Sequence, residues 1–306
     1  MVAFLRGKLF MESVQSQMVK KIIKLGKKFV GKQLTESKFK KIQKKPQRSV
    51  PRFIKRNFNV EKSYIENTQV YCISLKDTAK EKGFIYLHGG AYVHQITVFH
   101  WFYIQKLIIS TGCFAVVPLY PLAPTHTYKD VFRVMLTVYK NLLEEYGTNN
   151  LTVMGDSAGG SIAIALMQLA HSQKLPIYKN LIMISPCMDI TLQNPEIIAV
   201  LEKDLMLDMS IINDGLMYAG GENRTNPLIS PLYGEVNLPT NMMLIIGTND
   251  ILYPDCKKFY FKAKEEGVNI NFIERENMVH CFPLFPMPEA QSVYNLICDC
   301  LTGKQA

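Results

Sequence analysis

Residues Leu151-Thr-Val-Met-Gly-Asp-Ser-Ala-Gly-Gly160 decide how this chain is read. An apolar run suited to a buried strand ends at Gly155. Ser157 follows between glycines, and residues 158–171 carry a helical pattern. Gly155, Ser157 and Gly159 fit a G-x-S-x-G elbow, in which a strand turns sharply into a helix. The turn residue is strained, and a neighbour with a Cβ would clash, so small residues stand on both sides. Such a turn raises the serine Oγ above the sheet edge. It also sets the amide of Ala158 at a helix N-terminus, where it can donate to an anion. Chance supplies the bare pattern in on the order of one chain in ten of this length. Its context and partners therefore decide its meaning.

Working outward, strand and helix signals alternate. Strands are predicted at 84–87, 114–119, 151–154, 181–185, 242–247 and 270–273. Helices are predicted at 98–110, 129–146, 158–171, 255–266 and 289–301. A β-hairpin over 60–77, turning at Glu66-Asn67, precedes them. This is the pattern of an α/β fold with a mostly parallel sheet covered on both faces. Between Ser185 and Met242 more than 50 residues show no clear strand, and 208–218 looks helical. An insertion of that size reads as a lid or substrate-binding excursion.

The bulk numbers exclude several classes. Of 306 residues, 48% are apolar and 20% charged, as in ordinary globular proteins. No apolar run is long enough for a transmembrane helix, and the N-terminus lacks a secretory pattern. Seven scattered cysteines, with Cys298 and Cys300 too close for a CxxC site, suggest free thiols and a reducing, cytoplasmic setting. Residues 1–57 hold 17 Lys/Arg against Glu12 and Glu36, a local +15. The remainder of this +9 chain is therefore −6. Val14, Met18, Ile22, Leu25 and Phe29 recur there at helical spacing, with Lys20, Lys24, Lys27 and Lys28 off the stripe. The expectation is a helix docked on the main domain by that stripe, its lysine face solvated. The alternative is peripheral contact with a membrane surface. Without a recognition-helix or aromatic-interleaved pattern, no nucleic-acid partner is expected.

A serine hydroxyl needs a base, and the base needs an orienting acid. In this topology the order is Ser, Asp or Glu, then His, each after a strand. Asp250 follows the strand end at 243–249, and His280 follows the last strand. His88, His94, His100 and His126 precede Ser157, and His171 ends its helix. Asp255, five residues past Asp250, sits where a first-turn helix acid would. The loop His88-Gly89-Gly90-Ala91 follows the strand at 84–87, and its glycines let backbone amides approach a developing oxyanion.

In combination these residues resemble the hormone-sensitive-lipase-like esterase family of α/β-hydrolases. The matching pieces are His88-Gly-Gly-Ala-Tyr92, Tyr120-Pro-Leu-Ala-Pro124 and Gly155-Asp-Ser-Ala-Gly-Gly160. Further on come Ser185-Pro186 with Asp189, Ser230-Pro-Leu232, Gly247-Thr-Asn-Asp-Ile-Leu252 and His280. The resemblance runs from about residue 80 to 285. It implies the α/β-hydrolase fold and a triad of Ser157, Asp250 and His280. It also implies an oxyanion hole from the amides of Gly89, Gly90 and Ala158. Two positions depart from the pattern: Ala91 replaces a common third glycine, and Thr125 replaces a common acid.

The sequence thus leads to a serine carboxylesterase of short- to medium-chain esters, with neither metal nor organic cofactor. A catalytic domain over 58–306, with an insertion near 188–238, follows a basic helical cap segment over 1–57. The chain is expected to be a monomer or homodimer. Rival expectations are an amide or formamide hydrolase with the same triad, and a hydrolase fold reused for binding.

Overall fold

The computed structural model describes residues 12–30, 36–43 and 49–304. Three helices come first: α1 (Val14–Val30), α2 (Glu36–Gln43) and α3 (Arg52–Asn57). The hairpin of β1 (Asn59–Ile65) and β2 (Thr68–Ser74) turns at Glu66 and Asn67, with φ of 46° and 66°. A two-residue hairpin loop needs that left-handed pair. Then come β3 (Gly83–Leu87), α4 (Val98–Thr111), β4 (Phe114–Pro118), α5 (Tyr128–Tyr146), β5 (Leu151–Asp156), α6 (Ala158–Ser172) and β6 (Asn180–Ile184). The expected insertion holds α7 (Ile198–Leu201) and α8 (Ile211–Ala219). β7 (Asn241–Gly247), α9 (Tyr253–Glu265), β8 (Ile270–Arg275) and α10 (Pro288–Thr302) complete the fold.

One eight-stranded sheet runs β1-β2-β4-β3-β5-β6-β7-β8. β1 and β2 are antiparallel to each other, and β2 to β4; every pairing from β4 through β8 is parallel. Strand side chains alternate between faces, and here both faces are apolar. Phe84 and Tyr86 of β3 pack with Trp101 and Leu107 of α4 and with Val293 and Ile297 of α10. Ile85 and Leu87 pack with α5, α6 and α9 through Met135, Ile162 and Phe259. Burial on both faces explains why the middle strands read as unbroken apolar runs. The parallel strands carry all their C-terminal ends to one edge. Leu87 pairs with Gly155, Asp156 with Ile184, and Gly247 with Arg275. The loops after β3, β5, β7 and β8 therefore meet there, where open α/β sheets build their sites.

One expectation is corrected. The apolar stripe of α1 does not dock: Val14, Met18, Ile22 and Leu25 are 74%, 60%, 67% and 56% exposed. Phe29 lies outside the residues whose side chains are described. The helix sits instead on its other face, with Ser16 buried and Val19 and Ile23 packed against the core beneath α10. Two serines and a glutamine, polar in sequence, add hydrogen bonds to the apolar contacts of Val19 and Ile23 on that side.

Candidate active site

β5 ends at Asp156, and Ser157 turns the chain with φ 52° and ψ −124°. A non-glycine residue in such a region costs of order 1–3 kcal/mol and persists only where its surroundings hold it. Here the Ser157 amide donates to the Ile184 carbonyl at 2.8 Å, and the Ser157 carbonyl accepts from the Ser161 amide at 3.1 Å. Gly159 lies against the end of β3, and a Cβ there would overlap the Leu87 carbonyl. Asp156 and Ala158 are buried, while Ser157 between them is partly exposed. Ser157 is the residue of the elbow offered to solvent.

Asp250 and His280 come together across the next loops. The fully buried Asp250 sets its Oδ2 2.8 Å from Nδ1 of His280, itself buried. Asp250 Oδ1 accepts from the Leu252 amide at 3.0 Å. The two loops are stitched by backbone bonds from Thr248 to Arg275 and from Asn249 to Met278, both 3.0 Å. Burial opposes charging of His280, but the Asp250 carboxylate outweighs it and holds the imidazole well above the ordinary histidine range. Asp255 takes the other role: it stands in the first turn of α9 and accepts from Asn194 at 2.9 Å. Burial pushes its carboxyl up to about 6. The elbow and the histidine loop meet on consecutive residues of one strand end. Ile184 accepts from Ser157, and the Ser185 hydroxyl accepts from the Cys281 amide at 2.9 Å.

The loop after β3 completes the edge. The His88 ring donates from Nδ1 to the Gly89 carbonyl at 2.8 Å and stacks on Tyr120 with centroids 4.5 Å apart. The Tyr120 hydroxyl in turn donates to the His88 carbonyl at 2.6 Å. Burial lowers His88 to about 4, so it is neutral at physiological pH and braces the loop. Gly89 packs directly over the elbow: a Cβ there would overlap Asp156 Oδ2 and come within 3.0 Å of Ser157 Cβ. Gly89→Ala should therefore displace the loop from the elbow and lower kcat by tenfold or more, roughly the size of loss that follows when one site group is moved. Steady-state hydrolysis with a melting curve as control reads this out.

Asp156 is the elbow residue whose partners the sequence does not show. Its Oδ1 accepts from the Tyr86 hydroxyl at 2.7 Å. Its Oδ2 faces His100 Nε2 at 3.2 Å and Cys281 Sγ at 3.9 Å. Because His100 Nδ1 accepts from the Thr97 amide at 3.0 Å, the ring proton sits on Nε2 and points at the carboxylate. Burial disfavours the Asp156 charge, yet His100 and Tyr86 hold its carboxyl below the usual range. One buried carboxylate thus joins β3, α4, the elbow and the histidine loop.

A family model described as the α/β-hydrolase fold matches residues 84–284. The chain belongs to the α/β-hydrolases. This α/β-hydrolase is 27% identical over 195 residues to a triacylglycerol lipase of Mycobacterium tuberculosis, covering 63% of this chain but 40% of the lipase. It is 26% identical over 223 residues to an esterase of Acinetobacter venetianus, covering 71% of this chain and 74% of that protein. An esterase from the bacterial hormone-sensitive lipase family superposes with a TM-score of 0.80 at 21% identity, over 96% of this chain and 99% of that one.

Two features of this α/β-hydrolase's site escape sequence reasoning. Asp204, in the insertion, sends Oδ2 to the Ile251 amide at 2.9 Å, the residue after Asp250. Its Oδ1 accepts from Met206 and Leu207 amides at 2.7 and 2.8 Å. An acid before a short turn was its only signal, and the contact spans 47 residues. Likewise Tyr92, in the glycine loop, stacks on Tyr218 of α8 with centroids 4.0 Å apart. Among the described residues, no group of three or more His, Cys, Asp or Glu side chains converges as a metal site would.

Proposed function

We propose that this chain is a serine carboxylic-ester hydrolase acting on short- to medium-chain esters. The observation carrying the proposal is the buried Asp250–His280 pair at 2.8 Å, on the sheet edge where a strained elbow exposes Ser157. Ser157 Oγ attacks the ester carbonyl as His280 Nε2 takes its proton. Asp250 holds Nδ1–H and stabilises the imidazolium. The tetrahedral oxyanion lies against the amides of Gly89, Gly90 and Ala158, the last at the N-terminus of α6. His280 then protonates the departing alkoxide, leaving an acyl-Ser157. Water, activated by the same histidine, releases the acid. The activity named in the relatives supports this reaction class.

Of the N-terminal helices α2, together with the insertion, acts as the cap. Phe39 of α2 meets His94 edge-on at 5.3 Å, and α8 touches the glycine loop through the Tyr92–Tyr218 stack. Asp204 ties the same insertion to the Asp250 loop. A cap seated this close to the oxyanion loop would favour short acyl chains over long ones. Hydrolysis of p-nitrophenyl esters from acetate to palmitate tests this: rates should peak at acetate to hexanoate, and no turnover of any ester would overturn the assignment. Matched p-nitroanilide amides should react far more slowly.

The pH dependence follows from the imidazole. The base must be neutral to take the serine proton, so activity falls as pH drops through the His280 pKa. Asp250 raises that pKa, so the acid limb of kcat/KM should lie above about 6.5, the free histidine value. A limb well below 6.5 would contradict the pairing.

A further inference from the structure

The corrected placement of α1 has a consequence for what the protein sits on. The helix is fastened by its polar side to the frame of the histidine loop. The Ser13 amide and hydroxyl donate to Glu289 at 2.7 and 3.1 Å, and Ser16 bonds the same carboxylate. Gln15 donates to the Pro286 carbonyl at 2.7 Å, and Lys20 to the Asn277 carbonyl at 2.6 Å. Asn277 and Pro286 bracket the segment that holds His280. With that side engaged, Val14, Met18, Ile22 and Leu25 form a stripe turned to solvent, each more than half exposed. Single exposed apolar residues are ordinary; four along one helix stripe are a surface built for contact. At about 100° per residue, Lys21 and Lys24 run along one edge of that stripe, and both are exposed.

Charge selects the occupant. Residues 1–57 hold 17 Lys/Arg against two acids, while the rest of the chain is net −6. A second copy of this chain would bring two strongly basic segments together, a like-charge contact that opposes pairing through this face. A nucleic acid would leave the apolar stripe without an apolar medium. An anionic lipid surface satisfies both: acyl chains take the stripe, headgroups take the lysines, and the acidic body is repelled to the far side.

We propose that α1 is an interfacial helix that seats this protein on anionic phospholipid, with the His280 loop facing the membrane. Binding does not depend on the proposed esterase activity. What docking would do for substrate entry rests on that activity.

The test is flotation of the full chain with phosphatidylcholine vesicles, with and without phosphatidylglycerol, at low and high salt. Wild type should bind the anionic vesicles, bind the neutral ones at least tenfold less, and be released as salt rises. The exposed double change M18D/I22D should lower anionic binding by tenfold or more. Its melting curve and its hydrolysis of soluble p-nitrophenyl butyrate should be unchanged. K21Q/K24Q should weaken binding to anionic vesicles and not to neutral ones. Equal binding by wild type and M18D/I22D, or no binding, overturns the proposal. A concentration-dependent dimer that M18D/I22D dissolves, without lipid binding, assigns the face to a second copy instead. Binding that emerges only when residues 1–11 are removed assigns it to that segment. Loss of ester hydrolysis with vesicle binding intact would strike the enzymatic reading alone.

Discussion

Ser157→Ala is expected to lower kcat for p-nitrophenyl butyrate by roughly 10⁴–10⁶, because a hydroxyl that forms the acyl-enzyme has no substitute in the site. The loss should appear in kcat rather than KM, since the loop after β3 and the insertion stay in place. The fold should survive. Ser157 is held by its own backbone, through bonds to Ile184 and Ser161 that alanine retains. Its φ of 52° is as strained for alanine as for serine. A melting temperature unchanged within a few degrees, together with the kinetic collapse, separates a lost nucleophile from a lost fold. Retention of more than a few per cent of wild-type kcat would mean that another group accepts the acyl chain.

Asp250→Asn should have the next largest effect, and it carries a signature beyond the rate. An amide can still accept from the Leu252 amide, so the loop should hold. It can no longer supply the charge that holds Nδ1–H of His280 and stabilises the imidazolium. A kcat loss of about 10⁴ is expected. The imidazole then keeps the burial that disfavours its charge and loses the carboxylate that favours it. Its pKa must fall, so the acid limb of kcat/KM should move to lower pH in the residual activity. A merely structural role for Asp250 would reduce activity without moving the limb. Asp204 should respond as well: burial first, and the Asp250 charge next, push its carboxyl up, and removing that charge relaxes it.

The elbow was legible in the sequence because its physics is local. A strand, a strained turn and a helix each leave a mark within ten residues, and steric demand sets a glycine two residues to either side of Ser157. The chain order of Asp250 and His280 was legible for a related reason: parallel strands deliver successive loops to one edge. Boundaries shifted by a residue or two, as at β5, which runs on to Asp156 where the apolar run ends at Met154. What the sequence could not show is contact between distant segments. Asp156 looks like any elbow residue until Tyr86, His100 and Cys281 converge on it from three elements. Asp204 reaches the Asp250 loop from inside the insertion, where no periodicity marks it. The α1 stripe was misread for the complementary reason. Periodicity identifies an apolar face but says nothing of what meets it, and here Glu289 captures the serine face instead.

The central claim is that Ser157 is the acyl acceptor. The most direct measurement is the mass of the protein, and then of its peptides, after reaction with a fluorophosphonate at neutral pH. One phosphonyl group should be added per chain, mapped to the peptide bearing Ser157. It should be absent from Ser157→Ala and appear far more slowly in Asp250→Asn. A folded wild type that stays unmodified, or an adduct on any residue other than Ser157, would contradict it.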